Sequence, residues 1–588
     1  MSQARGQAPH PRRASDAASS SGIALYHPTT FRLGVAALIT GVCLHLPMFV
    51  QSRTMGYQMH GMDTSPLMVL GMVLDVLGVC LAAYGLLPPR AVRERNRRAA
   101  GAPGGSFKAL DDARLTRTHW NLLMILGVAL VVDVMKPATI AFVVPGMRQE
   151  YGISTATVAL LPLFALTGTV LGSLAWGVMA DRLGRRAVIL LASLLFMGTT
   201  ICGAMPDFRW NLMMCLIMGM SAGGMLPIVY ALMAEVVPAR QRGWLVVLHG
   251  GLGTVGGYLV ASGLAALLEP HFGWRALWFA NLPTGALLVL LNRWIPESPR
   301  FLLSSGRVHE AHEVMAGYGI VPDTRPRPSA AEADLVAPDR PGREHVHLPG
   351  ALAGLAQLFR MPYLPQTLCV GLYGLGWGLV NWGFITFLPT ILAGEGRKVG
   401  SVSQLLFLSS TVAIPGTLLV ALAYGRWSSK KSMILYALAV VATLLGFGWL
   451  GHGAAGHGLV LTLLLMSLLV STGGVISMLS PYTAEVYPTV LRGTGSGFAA
   501  GASKVGGVIA PLLVGVVLTK SHGLALIAPL MAVPMAAAAV MLAFLGRETT
   551  GRRLEDLEDL EATEGTEPLA ALTGAAVGAD PDPARARS

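Results

Sequence analysis

Two ionisable side chains lie near the middle of an apolar stretch that includes VVDVMKPATIAF, residues 131–142. Asp133 and Lys136 are three residues apart, so both can lie on one face of a helix. A charge at the centre of a membrane helix costs about 2.5–3.5 kcal/mol, which implies a compensating role. Burial opposes the charged carboxylate and a nearby ammonium favours it, so such a group can take up and release a proton. We expect Asp133 to carry a proton and Lys136 to contact Asp133 or an anionic ligand. The alternative is a static pair that only orders the helix.

A second polar group lies in YGLGWGLVNWGFITFLPTIL, residues 373–392. Aromatic rings beside an amide suit a small organic molecule that has both apolar and polar parts. Aromatic residues in membrane helices also act as interfacial anchors or packing groups, which is the alternative. The candidate cavity residues are Tyr373, Trp377, Asn381 and Trp382, together with Asn281 and Tyr482 from other apolar runs.

Charged residues recur at long range in the chain. AEVVPARQRG, with Glu235 and Arg242, reappears 250 positions later as AEVYPTVLRG, with Glu485 and Arg492. RRAVIL similarly matches KKSMIL, and PESPR is set beside RETTG. Two homologous halves in parallel orientation explain these offsets, and such halves hold a ligand site at their interface near the midplane. Carboxylates and arginines at helix ends can exchange partners as the halves rock, whereas arginines that only fix topology are the alternative. The candidate gate residues on this argument are Asp181, Arg185, Glu235, Arg242, Arg426, Glu485 and Arg492.

The composition excludes a soluble protein of this length. Of 588 residues, 53% are hydrophobic and only 13% are charged, which is typical of an integral membrane protein. The net charge of +11 is interpreted as basic loops on the cytoplasmic side rather than as nucleic-acid binding. The five cysteines lie in apolar runs without CxxC spacing, so neither a disulfide framework nor a zinc site is indicated.

Apolar runs of about 20 residues, long enough to cross a bilayer, define the predicted architecture. Basic loops such as DRLGRR alternate with loops that carry few positive charges, so both termini are predicted to be cytoplasmic. The fourteen predicted spans begin near Phe31, Pro66, His119, Thr155, Ala187, Trp210, Trp244, Arg275, Leu364, Ser401, Ser432, Gly458, Thr494 and Leu524.

These spans divide the chain into seven predicted regions. They are a disordered cytoplasmic tail (1–30), an extra transmembrane hairpin (31–88), a basic cytoplasmic linker (89–118), an N-terminal six-helix half (119–295), a cytoplasmic connector (296–363), a C-terminal six-helix half (364–546) and a cytoplasmic tail (547–588). The outer loop of the hairpin collects Met55, Met59, His60 and Met62. Copper binding is conceivable chemistry for these residues, but their spacing fits no specific site, and thioether packing is the interpretation adopted.

GVMADRLGRR, residues 177–186, resembles the signature loop of the major facilitator superfamily. PESPRFLLSSGR resembles a motif of its sugar porter and metabolite symporter branch. The resemblance covers roughly residues 119–548 and implies an all-α membrane fold of two six-helix halves related by a pseudo-two-fold axis, here with two extra N-terminal helices. It adds Gly177, Arg182, Gly184, Arg186 and Glu297 to the gate residues, and it also implies an acidic residue at Asp133. Arg426 stands where the family pattern has an acidic residue.

The resemblance implies a secondary transporter that moves a small organic solute by alternating access, with proton symport as the expected mode. The alternatives are a proton-coupled exporter of a drug or natural product and a receptor built on the same fold. The glycine run near Gly253 lacks the proline of an antiporter motif, which favours uptake. No GxxxxGK[ST] or HExxH pattern occurs, so an ATPase or another enzyme is not expected and no cofactor or metal is predicted. The expected partners are the solute, protons and the lipid bilayer, with no nucleic acid, for a monomer in the plasma (inner) membrane.

Overall fold

The structure is a computed structural model that describes residues 26–87, 89, 114–320, 351–394, 399–450, 458–487, 491–518 and 523–550. Residues 1–25 of the predicted N-terminal tail, the basic linker before residue 114, much of the connector and the C-terminal tail after residue 550 lie outside the described residues. Thirteen helices in the described part are long and apolar enough to cross a membrane. Helices suit this environment because every backbone group inside lipid must be hydrogen-bonded within the protein.

The membrane helices are α1 (Pro28–Cys43), α2 (Pro66–Leu86), α3 (Arg117–Tyr151), α4 (Leu160–Leu183), α5 (Arg185–Gly198), α6 (Phe208–Val236), α7 (Ala239–Phe272), α8 (Asn281–Leu291), α9 (Leu364–Leu379), α10 (Val399–Leu422), α11 (Ser429–Leu450), α12 (Gly458–Val486), α13 (Arg492–Leu518) and α14 (Gly523–Leu545). Short segments prolong several of them: Leu46–Gln51 and Ser52–Met55 after α1, Thr155–Val158 before α4, Thr199–Ala204 after α5, Val380–Ile385 and Thr386–Gly394 after α9, and Ala423–Trp427 after α10. Short helices between the halves are Pro299–Ser304, Val308–Gly317 and Ala351–Leu358.

The span predicted to begin near Arg275 differs from the others. It is divided into Ala276–Phe279, α8 and a 3-10 turn, Asn292–Trp294, and it is not among the thirteen spans. The remaining thirteen predicted spans each correspond to one long helix. The described residues contain no β-strand, and the predicted all-α membrane fold is confirmed.

The helices of the two halves pair in the same way. In the first half α4 packs along α6 and α3 along α7, and in the second half α10 packs along α12 and α9 along α13. The halves meet where α7 packs on α10 and α4 on α13. These two contacts use equivalent positions with the roles of the halves exchanged, as a pseudo-two-fold axis requires. Within the second half, glycine allows α9 and α13 to approach closely, because a side chain at Gly378 of α9 would overlap the backbone of Ser503 in α13.

The extra hairpin of α1 and α2 packs against α5 of the first half. Its two helices approach closely at small residues, since a side chain at Gly34 would overlap the backbone of Ala82 and one at Gly78 would overlap that of Gly34. In the loop of the hairpin, Met59 is fully buried in a cluster with Met48, and Met62 packs against the same cluster. Met59 and Met62 therefore contribute packing between the hairpin and the core, whereas Met55 is exposed.

Candidate functional site

Asp133 and Lys136 form a buried ion pair in the middle of α3. The Lys136 Nζ lies 3.2 Å from Asp133 Oδ1, and the side chains are 0% and 5% exposed, respectively. The ammonium also lies 4.2 Å from the centroid of the Phe196 ring on α5, a cation–π contact that helps to stabilise a desolvated charge. Pro137 follows directly inside the helix, and because proline has no N–H, the backbone carbonyl of Asp133 lacks its usual helical donor. A carboxylate, an ammonium and a backbone carbonyl without its helical donor therefore lie close together at this level of α3.

A third ionisable residue, Lys504 of α13, lies at the same site and was missed in the sequence analysis. Its ammonium donates to the backbone oxygen of Thr169, 3.3 Å away, and to the hydroxyl of Ser173, both on α4. It is close enough to act electrostatically on Asp133, as is Tyr230 of α6. The signal was present in the sequence, since Lys504 interrupts the run GASKVGGVIAPLL as Asp133 interrupts its own. Lys504 links the two halves at the level of the buried pair.

Asn381 makes a second polar link between the halves. The hydroxyl of Tyr258 in α7 donates to Asn381 Oδ1 at 3.3 Å, and both side chains are buried. Asn381 lies in the π-helical turn Val380–Ile385, and its backbone oxygen accepts from the Thr386 hydroxyl at 3.1 Å. Single π-turns inside helices frequently occur at functional sites. The structure thus brings Asn381 to the interface between the halves.

Two predicted aromatic residues lie on the same helix segment. The indole of Trp377 donates to the backbone oxygen of Thr472 in α12 at 3.0 Å. The indole of Trp382 lies beside Gly507 of α13, where the side chain of Leu166 from α4 also approaches. Both tryptophans are half-buried rather than enclosed. They provide aromatic surface within one helical turn of the polar residues on α9 and α13.

The other three predicted cavity residues lie elsewhere. The Tyr373 hydroxyl donates to the backbone oxygen of Met433 in α11, and the Tyr482 hydroxyl donates to that of Arg547 beyond α14, at 2.9 Å. Both tyrosines therefore use their hydroxyls to hold helices of their own half together. Asn281 is buried at the start of α8, and its amide has no hydrogen-bond partner among the described residues. The structure does not bring these three to the buried lysines.

Three of the predicted gate residues of the first half, Arg185, Glu235 and Glu297, form a connected cluster at what we call the signature end of the bundle, which carries residues 184–186 and 428–431. Glu297 accepts from the backbone N–H of Arg185 at 2.7 Å, Arg186 at 3.5 Å and Ser298 at 3.0 Å. Burial raises the pKa of Glu297, and these hydrogen bonds and the charge of Arg185 oppose that rise. Arg185 also lies 3.5 Å from Glu235, which accepts a bond from the Ser298 hydroxyl. The carboxylates thus bind the first turn of α5.

The second half repeats this arrangement with different residues. Glu548 accepts from the backbone N–H of Ser429 at 2.9 Å and from its hydroxyl at 2.6 Å, at the start of α11. Burial acts to raise the pKa of Glu548, but hydrogen bonds from Ser428, Ser429 and Thr550 outweigh it and lower the pKa to about 2. The correspondence between PESPR and RETTG therefore marks two carboxylates with the same structural task.

Glu485 occupies the position of Glu235 in the second half. It accepts from the Thr549 hydroxyl at 2.6 Å and from the Tyr424 hydroxyl at 2.8 Å. Its carboxylate also lies 3.6 Å from where a side chain at Gly243 of the first half would begin. This carboxylate therefore reaches the boundary between the halves at the signature end.

The remaining predicted gate residues have varied surroundings. Gly184, at the C-cap of α4, has φ of 98° and packs against Glu297. Arg186 donates to the backbone oxygens of Asn292 and Arg293 at 3.1 and 2.9 Å, and Arg242 donates to that of Val237 at 3.1 Å. The side chains of Asp181 and Arg492 lie outside the described part. Three residues are exposed: Gly177, Arg182 and Arg426.

The interface between α4 and α13 is closed at one end and open at the other. Away from the signature end, Gly515 of α13 packs against Ala156, just before α4. Toward the signature end, Gly497 lies two turns before Lys504 on the same face of α13, yet a side chain there would meet no other described atom within 4 Å. The same holds for Gly177 on α4. Along this helix pair, Lys504 therefore lies where the open end begins.

A second buried ion pair stabilises the opposite end and was also missed. Arg275 Nη2 lies 2.7 Å from Glu150 Oε1, with side-chain exposures of 0% and 4%. The Trp274 indole donates to the same carboxylate at 2.8 Å, and Arg275 Nη2 also donates to the Tyr151 hydroxyl at 3.0 Å. The same carboxylate also contacts the extra hairpin. Glu150 Oε1 accepts hydrogen bonds from Met59 N at 2.7 Å and from His60 N at 3.1 Å.

Comparisons with known proteins agree with this architecture. The sequence model of the Major Facilitator Superfamily matches residues 124–511. The chain is 25% identical over 458 residues to the niacin transporter NiaP of Acinetobacter baylyi (strain ATCC 33305 / BD413 / ADP1), covering 76% of this chain and 98% of that protein. It is 26% identical over 469 residues to organic cation/carnitine transporter 7 of Arabidopsis thaliana, covering 73% and 91%. Its fold is similar to that of the proton:xylose symporter XylE bound to 6-bromo-6-deoxy-D-glucose, with a TM-score of 0.57, 19% identity and coverage of 75% and 98%. Helices α1 and α2 precede the matched region.

Proposed function

The chain belongs to the major facilitator superfamily, and from this premise we propose that it imports an aromatic carboxylate in symport with protons. It is a multi-pass membrane protein and a secondary transporter of small organic solutes, not an enzyme. The observation that carries the more specific proposal is the charge of the buried site. Lys136 and Lys504 contribute two positive charges and Asp133 one negative charge, so with all three ionised the site has one positive charge in excess. A carboxylate substrate neutralises it.

Lys504 supplies the recognition of the carboxylate in this proposal. Among the described residues, its ammonium has a hydroxyl and a backbone oxygen of α4 as hydrogen-bond partners, and a charged acceptor makes a stronger hydrogen bond than either of these neutral groups. A bound carboxylate would therefore displace them and pull Lys504 away from α4. Because Lys504 belongs to one half and its present partners to the other, this exchange couples substrate binding to the contact between the halves.

The aromatic part of the substrate would lie against α9. Trp377 and Trp382 offer half-buried ring faces there, and aromatic pairs gain about 0.5–1.5 kcal/mol beyond simple burial. The Tyr258 hydroxyl and Asn381 amide provide a polar position for a ring nitrogen or hydroxyl group. Niacin, the solute in the name of one relative, is an aromatic carboxylate with a ring nitrogen and matches this combination.

Asp133 supplies the proton coupling. When Asp133 is ionised it holds Lys136, and when it takes up a proton it releases the positive charge of Lys136 for the substrate. One proton and one carboxylate that load together therefore leave the net charge of the site at its starting value, so loading adds no further uncompensated charge to a buried site. The basic loops support a cytoplasmic location for the signature end and for both termini, in the plasma (inner) membrane. A monomer suffices, since both halves of the site are in one chain.

The test uses purified protein in liposomes with an inward proton gradient and radiolabelled nicotinate as the probe. We expect accumulation of nicotinate and its co-transport with protons, and we expect Asp133→Asn to abolish accumulation while nicotinate exchange across the membrane continues. Asp63→Asn is the matched control because Asp63 is exposed outside the membrane helices. Parallel assays with carnitine and xylose separate the competing solute classes. Transport of carnitine or xylose in place of nicotinate would refute the aromatic carboxylate, and efflux against the gradient would indicate an exporter.

A further inference from the structure

His249 of α7 is a buried histidine whose two ring nitrogens both face carbonyl oxygens. Nδ1 lies 2.8 Å from the backbone oxygen of Leu245 on the same helix, and Nε2 lies 3.1 Å from that of Leu123 on α3. The residue is only 6% exposed. Its ring can approach α3 because Gly127 has no side chain; the ring is 3.6 Å from where a Cβ would lie. His249 therefore bridges the helix that carries Asp133 and the helix that carries Tyr258.

This geometry sets two opposing demands on the protonation state of the ring. A carbonyl oxygen only accepts hydrogen bonds, and a neutral imidazole has a single N–H donor. Both contacts are satisfied only by the doubly protonated imidazolium, whereas burial opposes its charge. In the neutral state one nitrogen lone pair must face a carbonyl oxygen, and the α3 to α7 bridge is weakened. The ring is therefore suited to gaining and losing a proton during a transport cycle.

The position of His249 relates this property to Asp133. Gly127 and Asp133 are six residues apart on α3, about 9 Å along the axis, with His249 on the side of the signature end. The Tyr230 hydroxyl of α6 is 2.6 Å from where a side chain at Gly250, the residue after His249, would begin. His249 thus lies between the level of Asp133 and the signature end.

We infer that His249 is a second proton-binding site, which receives the proton that Asp133 releases and passes it toward the cytoplasmic side. The inference rests on the proposed proton symport and deepens it by naming the exit route. The proton leaves the Asp133 carboxyl and is held on His249 as the imidazolium until it is lost to water. While it is held, both carbonyl contacts are made and α3 is fixed to α7.

Other titratable residues near this route lie on α7 and on the elements packed against it. Helix α10, which packs against α7, has no titratable residue. From the membrane centre to the signature end, the titratable and charged residues on α7 itself and on the other elements packed against it are Arg117, His119, Asp133, Lys136, Tyr230, Glu235, Arg240, Arg242, Tyr258, Tyr424, Arg426, Tyr482 and Glu485. Neither His249 nitrogen bonds to any of these in the described part, since its two partners are backbone oxygens.

The first measurement is direct and needs no substrate. The full-length protein with ¹⁵N-labelled histidine is titrated in nanodiscs between about pH 5 and 8, and the His249 signals are identified by their absence in His249→Gln. We expect the ring to change between its neutral and doubly protonated forms within this range. A ring that stays neutral throughout would overturn the inference.

The second measurement separates the relay from proton coupling itself. In the liposome assay with nicotinate, His249→Gln is expected to slow proton-driven uptake by about a hundredfold and to change its pH profile, while nicotinate exchange is retained. His271→Gln, an exposed position at the far end of α7, is the matched control. A parent that moves no protons refutes the proposed symport, whereas a parent that couples and a His249→Gln variant that behaves like it refute only the relay.

Discussion

Glu297 and Glu548 do the same structural work in the two halves of the protein. Each carboxylate accepts a hydrogen bond from a backbone N–H in the first turn of a helix, from Arg185 at 2.7 Å in one half and from Ser429 at 2.9 Å in the other. The first four N–H groups of a helix have no partner within it, and a carboxylate there also interacts favourably with the helix dipole. Both carboxylates follow the last helix of their own half, so each ties the end of that half to its middle.

Replacing Glu548 with Gln should destabilise the protein in a pH-dependent way. Because the pKa of Glu548 is lowered to about 2, ionised Glu548 stabilises the folded state at pH values above its ordinary pKa of 4.5, and this stabilisation is lost as the pH falls toward 2. The loss in Glu548→Gln at neutral pH should be about 1 kcal/mol. Thermal unfolding of parent and variant in detergent should therefore differ at pH 7 and converge in acid. A difference that is constant across this range would contradict the role of the charge.

Gly184→Ala should be more disruptive than an ordinary substitution in a loop. Gly184 has φ of 98°, a conformation that only glycine adopts readily, and an added Cβ would collide with the Glu297 carboxylate. Strained backbone of this kind costs on the order of 1–3 kcal/mol. The matched control is Gly317→Ala, where a Cβ would meet no other described atom within 4 Å and the residue ends a helix. Thermal unfolding should be lowered by the first change only; equal behaviour of the two variants would refute the conflict with Glu297.

The sequence predicted the contact between Asp133 and Lys136 because it depends on helix periodicity alone. The internal repeat similarly predicted that residues in PESPR and RETTG take equivalent positions. Lys504 and the Glu150–Arg275 pair were missed for a different reason. Their partners lie far away in the chain, 331 residues for Lys504 and Ser173 and 125 for Arg275 and Glu150, so no local pattern indicates which buried charge meets which group.

The sequence also could not predict which neighbouring helices the side chains of Tyr373 and Tyr482 face. In a helix of a soluble protein, the apolar face is the buried one and the polar face is exposed. In a membrane helix, the lipid and the protein interior are both apolar, so this contrast is lost. The rotation of α9 and α12 about their own axes therefore leaves no clear sequence signature. Trp377, Asn381 and Trp382 lie on the same run as Tyr373, yet Tyr373 hydrogen-bonds to α11.

Lys504→Met should weaken binding of the carboxylate more than it weakens the fold. A hydrogen bond to a charged group contributes about 1.5–3 kcal/mol, so the Kd for nicotinate measured by calorimetry should rise by about tenfold or more. Lys504→Arg keeps the charge and should retain part of the affinity. Lys431→Met, an exposed lysine at the signature end, is the control and should bind as the parent does. If Lys504→Met binds nicotinate with unchanged affinity, Lys504 serves only to join α13 to α4.

Glu150→Gln should loosen the extra hairpin as well as the opposite end of the core. The carboxylate neutralises fully buried Arg275 and also accepts the backbone N–H groups of Met59 and His60. Removing one partner of a buried ion pair costs about 3–5 kcal/mol because the other charge stays buried and unpaired. We expect a large drop in unfolding temperature and faster hydrogen exchange at Met59 and His60, measured by mass spectrometry. Glu313→Gln, whose partner His309 is 87% exposed, should change neither. Slow exchange at Met59 and His60 in Glu150→Gln would mean that the methionine packing alone holds the hairpin in place.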